Sequence, residues 1–369
     1  MSHLTLPCHW SKEVIENILT NSDNRDMDIV EIYGALAGDI PIGHGRSSKS
    51  VTPISKEESI EFRKFIRSKG INFTYLINAP FSFHNESQKI LVREYLEWIL
   101  GEFKPDALTI SSRELMQFVR EMDRRIPIHI STIAGIKTAA ELESYLDIRP
   151  SRIVPHHDCG KRFGDLAKLV EVGNDHGVDI ELLSTESCLF ECPHRDAHYE
   201  CLSKKDKDAG FHTSCNTAKL NSPREFLRAG GVIRPEDTAF YEQLGIKYFK
   251  ISGRSKSEAW LPEVVKAYLN RSYDGNLMRL LGIDPSLKAE NWIYINNKSL
   301  DGFIENYPRN RNESDEIAYC DRWTSKLYKE GEFRLLDGTN FTINGDTLEL
   351  KDLGQNAEQI ISFEAKKLR

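Results

Sequence analysis

The sequence predicts an α/β fold, a (β/α)₈ TIM-barrel-like domain followed by a small C-terminal β-rich appendage. Short apolar runs alternate with helical stretches through the first three quarters of the 369-residue chain. Eight such runs are more than a sandwich or a ferredoxin-like fold requires, and a barrel of this kind usually takes about 250 residues. After residue 282 the pattern changes to alternating apolar and polar residues, which is typical of half-buried strands.

Each predicted barrel strand is a short apolar run, as expected of strands that are buried on both faces. In chain order these strands are Asp28–Ala35, Ile71–Asn78, Ala107–Ser112, Pro127–Ala134, Arg152–His157, Val178–Glu186, Gly231–Asp237 and Tyr248–Arg254. Helices are predicted where apolar residues recur three and four positions apart. The clearest are Glu57–Lys69, Lys137–Leu146 and Arg162–Asn174.

A doubly wound open sheet is the main alternative to the barrel. Its dinucleotide-binding form needs a Gly-x-Gly-x-x-Gly turn after a strand, and GHGRSS at 43–48 only half matches that pattern. We therefore divide the chain into a barrel domain, residues 1–282, and an appendage, residues 283–369. In the appendage Asn291–Asn297 and Phe333–Leu350 alternate as strands do, and DGTN and NGDT are typical hairpin turns.

The composition is that of a globular protein, with 40% hydrophobic and 28% charged residues. The net charge of −7 gives no basic excess for a broad nucleic-acid surface, although local basic patches leave nucleic acid open as a partner. No apolar run approaches the ~18 residues that span a bilayer. The N-terminus lacks the pattern of a secretory signal. We expect a cytoplasmic protein that does not bind membranes.

Four of the seven cysteines lie within 28 residues, and the other three (Cys8, Cys159 and Cys320) stand apart. An odd number at low density argues against a disulfide scaffold. The four clustered cysteines are Cys188, Cys192, Cys201 and Cys215. Four thiolates can hold an iron–sulfur cluster, because soft sulfur ligands suit iron. Their spacing matches neither the ferredoxin run nor the Cys-x3-Cys-x2-Cys of radical enzymes. Zinc and four unligated thiols both remain open, since His194, His198 and His212 lie among the cysteines.

His194 and His198 are four residues apart, as in the helical motif of zinc proteases. That motif needs a glutamate after the first histidine as general base, and this chain has Arg195 there. The sequence therefore does not predict a zinc protease. His156 and His157 end a predicted strand. They could either form hydrogen bonds at the barrel rim or act as metal ligands.

Charged residues follow the predicted strands at the barrel end where active sites of this fold lie. Glu186, Arg234 and Asp237 are our candidate catalytic residues. Arg234, Gly253 and Arg254 are candidates for binding an anionic substrate, because Gly253 and Arg254 precede a helix whose N–H groups attract anions. The alternative is that these charges pair with one another, or with Glu236, and only stabilise the rim.

The segments ESCLFECPHRDAHY, VIRPEDTAFYEQLGIKYFKISGR and VEIYGALAGDIPIGHGRSS resemble the collagenase-like peptidase U32 family. They are most similar to the short members related to the ubiquinone-biosynthesis proteins UbiU and UbiV. The resemblance covers roughly residues 28–268 and extends weakly to INNKSLDGF in the appendage. It implies a barrel and a [4Fe–4S] cluster on Cys188, Cys192 and Cys215, with Cys201 or Cys159 as the fourth ligand.

Studied relatives of that kind take part in oxygen-independent hydroxylation of ubiquinone precursors or RNA, and several depend on prephenate. The resemblance therefore implies an iron–sulfur redox enzyme that uses a small anionic substrate or co-substrate such as prephenate, and a protein partner of the same family. The alternatives are a metal-dependent or collagenase-like peptidase and a noncatalytic, cluster-bearing partner subunit.

Overall fold

The computed structural model describes residues 2–20, 26–38, 40–46, 51–203, 210–282, 289–291, 293–309, 312–336 and 338–351. Within these residues parallel strands close into one barrel, each paired with its neighbours in chain order and the last paired with the first. The barrel strands are β1 (Ser2–Pro7), β2 (Met27–Gly34), β3 (Asn72–Ile77), β4 (Ala107–Ile110), β5 (Ile128–Ile130), β6 (Arg152–Ile153), β7 (Asp179–Leu183) and β8 (Tyr248–Lys250). The predicted (β/α)₈ barrel is confirmed.

Helices follow the strands and pack their apolar faces on the outside of the barrel. Those of the barrel domain are α1 (Lys12–Thr20), α2 (Lys56–Ser68), α3 (Glu86–Trp98), α4 (Arg113–Met122), α5 (Ala139–Glu143), α6 (Phe163–His176), α7 (Arg195–Ser203), α8 (Phe211–Asn221), α9 (Arg224–Arg228), α10 (Thr238–Gln243) and α11 (Trp260–Leu269). No helix in the described part of the chain is both long and apolar enough to cross a membrane.

One barrel strand was predicted wrongly and another was missed. Gly231–Asp237 does not form a strand, and only Val232 makes an isolated antiparallel bridge, with Thr185. The chain turns here instead, since the N–H of Asp237 donates to the Arg234 carbonyl before α10 begins. Strand β1 was missed because its buried face is partly polar, with Thr5 inside the barrel and completely buried. The strands predicted as fifth and sixth are therefore β6 and β7.

Charged side chains fill part of the barrel interior. Glu31 and Glu181 are buried there together with Arg152 and Lys250. Arg152 lies 3.1 Å from Glu31 and 3.7 Å from Glu181, and the Lys250 Nζ lies 3.6 Å from the same Glu181 carboxylate. The two positive and two negative charges balance one another, as buried ionic groups must.

The appendage contains the predicted strands and also a long helix that the sequence analysis did not predict. Strands β9 (Ile293–Ile295) and β10 (Phe333–Leu335) pair antiparallel, and β11 (Phe341–Asn344) and β12 (Thr347–Leu350) form a hairpin at NGDT. The helix is α12 (Glu313–Lys329), whose N-cap Asn312 accepts a hydrogen bond from the N–H of Ser314. Ion pairs from α9 to Asp321 and Glu313 fix α12 against the barrel domain.

Candidate functional site

A cavity of about 110 Å³ lies at the C-terminal ends of the barrel strands. This is the end at which (β/α)₈ barrels carry their active sites. The residues that line it come from the loops after β2, β3, β5, β6, β7 and β8 and from α7. They include Arg46, Asn78, Ser131, His157, Glu186, Cys188, Arg195, Tyr199, Lys250 and Arg254. We call this the mouth cavity.

The wall of the mouth cavity is mainly positive. Four cationic side chains line it (Arg46, Arg195, Lys250 and Arg254), and Glu186 supplies the carboxylate among the described lining residues. A cleft of one sign of charge in a low-dielectric wall attracts ligands of the opposite sign. The mouth cavity is therefore suited to a small anion.

Glu186 lies in the mouth cavity, as the sequence predicted for the end of that strand. Its backbone N–H donates to the Gly231 carbonyl, and a Cβ at residue 231 would lie 2.6 Å from the Glu186 carbonyl oxygen. Only glycine therefore permits this close approach. The Glu186 carboxylate accepts a 2.7 Å hydrogen bond from Arg46. Its other oxygen is 3.9 Å from the Cys188 sulfur.

The four clustered cysteines are half-buried, and no disulfide joins any of the seven cysteines, all of which the structure describes. Cys188 lines the mouth cavity and interacts electrostatically with Cys215. Burial raises the pKa of the Cys188 thiol, and the positive charges of Arg195 and Lys219 oppose that rise. The surroundings of Cys188 therefore favour the neutral thiol, and the two positive charges offset the effect of burial only in part.

The four thiols of this segment have the donor chemistry of an iron–sulfur site, but they are not gathered around one point in this structure. Across the described residues no three His, Cys, Asp or Glu side chains converge on a point where a metal ion would be held. Residues 204–209, between Cys201 and Cys215, lie outside the described residues. A cluster on these four cysteines would require their sulfur atoms to lie closer together than they do in this structure.

Cys159, the alternative fourth ligand, is placed differently from the clustered cysteines. Its side chain is completely buried, and its sulfur lies 3.8 Å from the Ile136 carbonyl oxygen. Burial raises the pKa of its thiol to about 12. The structure therefore gives Cys159 a hydrogen-bonded position in the barrel wall.

The adjacent histidines differ in their surroundings. His156 Nδ1 is 3.2 Å from the carboxylate of Asp158. His157 lines the mouth cavity and lies 3.3 Å from the hydroxyl of Tyr199. Burial, together with the charge of Arg195, lowers the pKa of His157 well below its ordinary value. His157 is therefore a neutral member of the cavity wall.

Arg234 and Asp237 lie outside the described lining of the mouth cavity. They form a buried ion pair, with distances of 2.6 and 3.0 Å between guanidinium nitrogens and carboxylate oxygens. Arg234 also donates to the backbone carbonyl of Asn297 at 2.6 Å and to Asp301 at 3.0 Å. The structure places this pair at the contact between barrel and appendage. Its predicted catalytic and substrate-binding roles stay predictions without support from this geometry.

Gly253 and Arg254 do line the mouth cavity, but their local contacts are structural. Gly253 has a φ of +141°, and a Cβ there would lie 2.3 Å from the Trp260 ring. Arg254 is buried and donates to the carbonyl of His44 at 2.7 Å. Burial and the nearby Arg46 lower the pKa of Arg254 to about 10.

Sequence analysis missed several residues of the mouth cavity. Arg46 and Lys250 lie in segments that carry the family resemblance, but neither is among the predicted site residues. Asn78 ends a predicted strand and Tyr199 ends the segment ESCLFECPHRDAHY, and neither was predicted as a site residue. These residues come from four separate parts of the chain, and closure of the barrel brings them together.

No family model matches the chain. An uncharacterized protease of Methanocaldococcus jannaschii is 27% identical, over 72% of this chain and 80% of the relative. A solved U32 peptidase is similar over 68% of this chain and 92% of its own, with 11% identity and a TM-score of 0.47. The protease alignment agrees with the motifs described above. The chain thus resembles the U32 peptidases.

The chain is also similar to a dihydrodipicolinate synthase from Bacillus clausii, over 99% of this chain and 97% of that structure, with 10% identity and a TM-score of 0.35.

Proposed function

We propose that this U32-type protein binds a small anionic molecule in the mouth cavity and takes part in a redox modification, such as oxygen-independent hydroxylation, that depends on a [4Fe–4S] cluster. The observation that carries the proposal is the cavity itself. It combines four cationic side chains with the carboxylate of Glu186 and the thiol of Cys188.

The chain's own residues have distinct parts in this proposal. Arg46 and Arg195 supply positive charge beside Cys188, and Glu186 is held by Arg46 at 2.7 Å. A planar guanidinium can grip a carboxylate with two hydrogen bonds. The cluster would supply the electron-transfer chemistry. Cys188, Cys192, Cys201 and Cys215 are its proposed ligands, and zinc is the alternative metal.

Anaerobic purification followed by iron, acid-labile sulfide and zinc analysis tests the metal assignment. We expect about four iron atoms and four sulfides for each chain, because four thiolates complete one cubane. Stoichiometric zinc without iron would overturn the cluster. Calorimetric titration of the same preparation with prephenate tests the cavity, and absence of binding would overturn the proposed ligand class.

Peptidase activity is the second candidate function, favoured by the relative that is named as a protease. A cysteine peptidase needs a histidine base within hydrogen-bond reach of its thiol. The described contacts of the Cys188 sulfur are with Glu186 and Arg195. This geometry supports the redox function better than proteolysis. Two further alternatives are an enzyme that needs a protein partner of the same family and a noncatalytic subunit of a complex. In both cases activity should appear only when the partner is added.

A further inference from the structure

Lys250 ends β8, and its side chain lines the mouth cavity together with apolar residues from other strand ends, among them Leu76, Val154 and Leu183. The lysine is 7% exposed, and its Nζ makes no hydrogen bond with the described residues. An amine that is shielded from water beside a ligand cavity has the surroundings of lysines that attack carbonyl groups.

The charges around the Lys250 Nζ also suit a nucleophile. The Nζ lies 3.6 Å from Oε2 of Glu181, a completely buried carboxylate, and that oxygen accepts no hydrogen bond from the described residues. A guanidinium nitrogen of Arg152 lies 3.7 Å from the same oxygen. Desolvation and a second cation nearby are the two features that activate nucleophilic lysines. The Glu181 oxygen is placed to take a proton from the Lys250 ammonium.

From this arrangement we infer that Lys250 forms a protonated imine (a Schiff base) with a small aldehyde or ketone that enters the mouth cavity. Glu181 is the base that frees the amine. The cavity volume of about 110 Å³ admits only a small carbonyl compound. The inference concerns a covalent step at Lys250, and it depends neither on the cluster nor on the proposed binding of an anion.

The step balances without an oxidant or a reductant. Glu181 takes one proton from the ammonium, and the neutral nitrogen of Lys250 adds to the carbonyl carbon. The resulting carbinolamine loses its hydroxyl group as water, for which Glu181 returns the proton. A C=N bond replaces the C=O bond, and the products are a protonated imine and one water molecule.

The protonated imine keeps the charge balance of the barrel interior. The positive charge stays on the Lys250 nitrogen, beside Glu181 and the Tyr33 ring, whose centre lies 3.9 Å from the Nζ. Arg152 keeps its partner Glu31 at 3.1 Å. Two positive and two negative charges therefore remain together, as buried ionic groups require. Shielding from bulk water also protects the imine from hydrolysis.

Reductive trapping of the full-length protein tests the inference. Acetone is a suitable uncharged probe, and cyanoborohydride reduces an imine to a stable secondary amine. Peptide mapping by mass spectrometry then gives the rate of modification at each lysine. Near pH 7 we expect Lys250 to be modified at least about tenfold faster than Lys64, an exposed lysine in the same sample.

Lys250→Arg is the matched variant, because arginine keeps a positive charge beside Glu181 but has no amine that can form an imine. It should melt near the wild-type temperature and lack the rapidly formed adduct. Glu181→Gln should slow the modification of Lys250 by at least about tenfold. Glu31→Gln removes the same charge from the interior carboxylate that faces Arg152, so Lys250 should react at least as fast as in the wild type. Thermal melting checks that each variant is folded.

Modification of Lys250 no faster than that of Lys64 would overturn the inference. So would an adduct of unchanged rate and stoichiometry in folded Lys250→Arg, and this comparison decides even if Glu181→Gln does not fold. Equal slowing by Glu181→Gln and Glu31→Gln would overturn the role of Glu181 as the base. The iron analysis and the prephenate titration measure other properties, so a failure here leaves the proposed function standing.

Discussion

Arg254, after β8, donates a 2.7 Å hydrogen bond to the backbone carbonyl of His44, in the loop after β2. A second guanidinium nitrogen lies 3.2 Å from the His44 Nδ1. Burial, with the charge of Arg254, lowers the pKa of His44 to about 3, so its imidazole is neutral and can accept that contact. The Arg254 guanidinium, which the sequence suggested for an anionic substrate, thus joins two loops of the barrel rim.

Arg254→Lys should lower the free energy of unfolding by about 1–3 kcal/mol, the range for a hydrogen bond that involves a charged group. Lysine keeps the charge but cannot reach both acceptors of His44. Urea unfolding measures the effect. Arg279→Lys is the control, since its exposed pair with Glu263 should matter by less than about 1 kcal/mol. Wild-type stability together with lost prephenate binding would show instead that Arg254 binds the ligand.

Asp237→Asn should destabilise the protein by about 3–5 kcal/mol, because it leaves the buried Arg234 guanidinium without its carboxylate. Prephenate affinity of the folded variant should stay at the wild-type value, since the pair lies outside the described cavity lining. Unfolding and calorimetry on the same preparation check both statements. A loss of affinity without loss of stability would restore the catalytic or binding role predicted from the sequence.

Cys188→Ala, Cys192→Ala, Cys201→Ala and Cys215→Ala should each reduce iron content after anaerobic isolation. Cys159→Ala and Cys320→Ala should retain iron, because both thiols are completely buried in the hydrophobic core. Iron and sulfide analysis gives the answer for each variant. If Cys159→Ala loses iron and Cys201→Ala does not, the fourth ligand is reassigned and the cluster stands.

Metal-replete protein should not cleave gelatin or casein. Arg195 occupies the position of the general base in the zinc-protease motif, and its side chain contacts the Cys188 sulfur. Gel electrophoresis after long incubation measures cleavage, with Cys188→Ala as the matched control. Cleavage by the wild type that disappears in a folded Cys188→Ala variant would favour the peptidase alternative.

Lys161 should make stability depend on pH between about 8 and 10.5. Its Nζ is buried beside the Phe303 and Tyr307 rings of the appendage, and burial lowers its pKa from an ordinary 10.5 to about 8. The unfolded chain holds this proton up to higher pH than the folded chain does. The charged lysine therefore costs stability below pH 8, and that cost is relieved as the pH rises.

Relative to Lys161→Met, the wild type should consequently gain about 3 kcal/mol in unfolding free energy from pH 7 to pH 10.5. Urea unfolding at several pH values for both proteins measures the difference. Lys64→Met, at an exposed lysine, is the control variant. A constant difference between wild type and Lys161→Met would contradict a lowered pKa.

The sequence alone determined the architecture of this protein. Apolar runs and helical periodicity depend on neighbouring residues, so they predicted the strands from β2 to β8 and the hairpin at NGDT. The same local patterns did not predict two elements whose buried faces contain polar or charged side chains. β1 carries Thr5 inside the barrel, and α12 has charged residues that pair with α9 rather than with solvent.

Only the tertiary structure decided which charges face the mouth cavity. Arg234 and Arg254 look equivalent in the sequence, yet one joins the appendage and the other joins the His44 loop. Lys250 lies in a predicted strand but was not predicted as a site residue, and it reaches the cavity because β8 closes the barrel against β1. A side chain's hydrogen-bond partner depends on contacts between residues far apart in the chain, and no local pattern encodes those contacts.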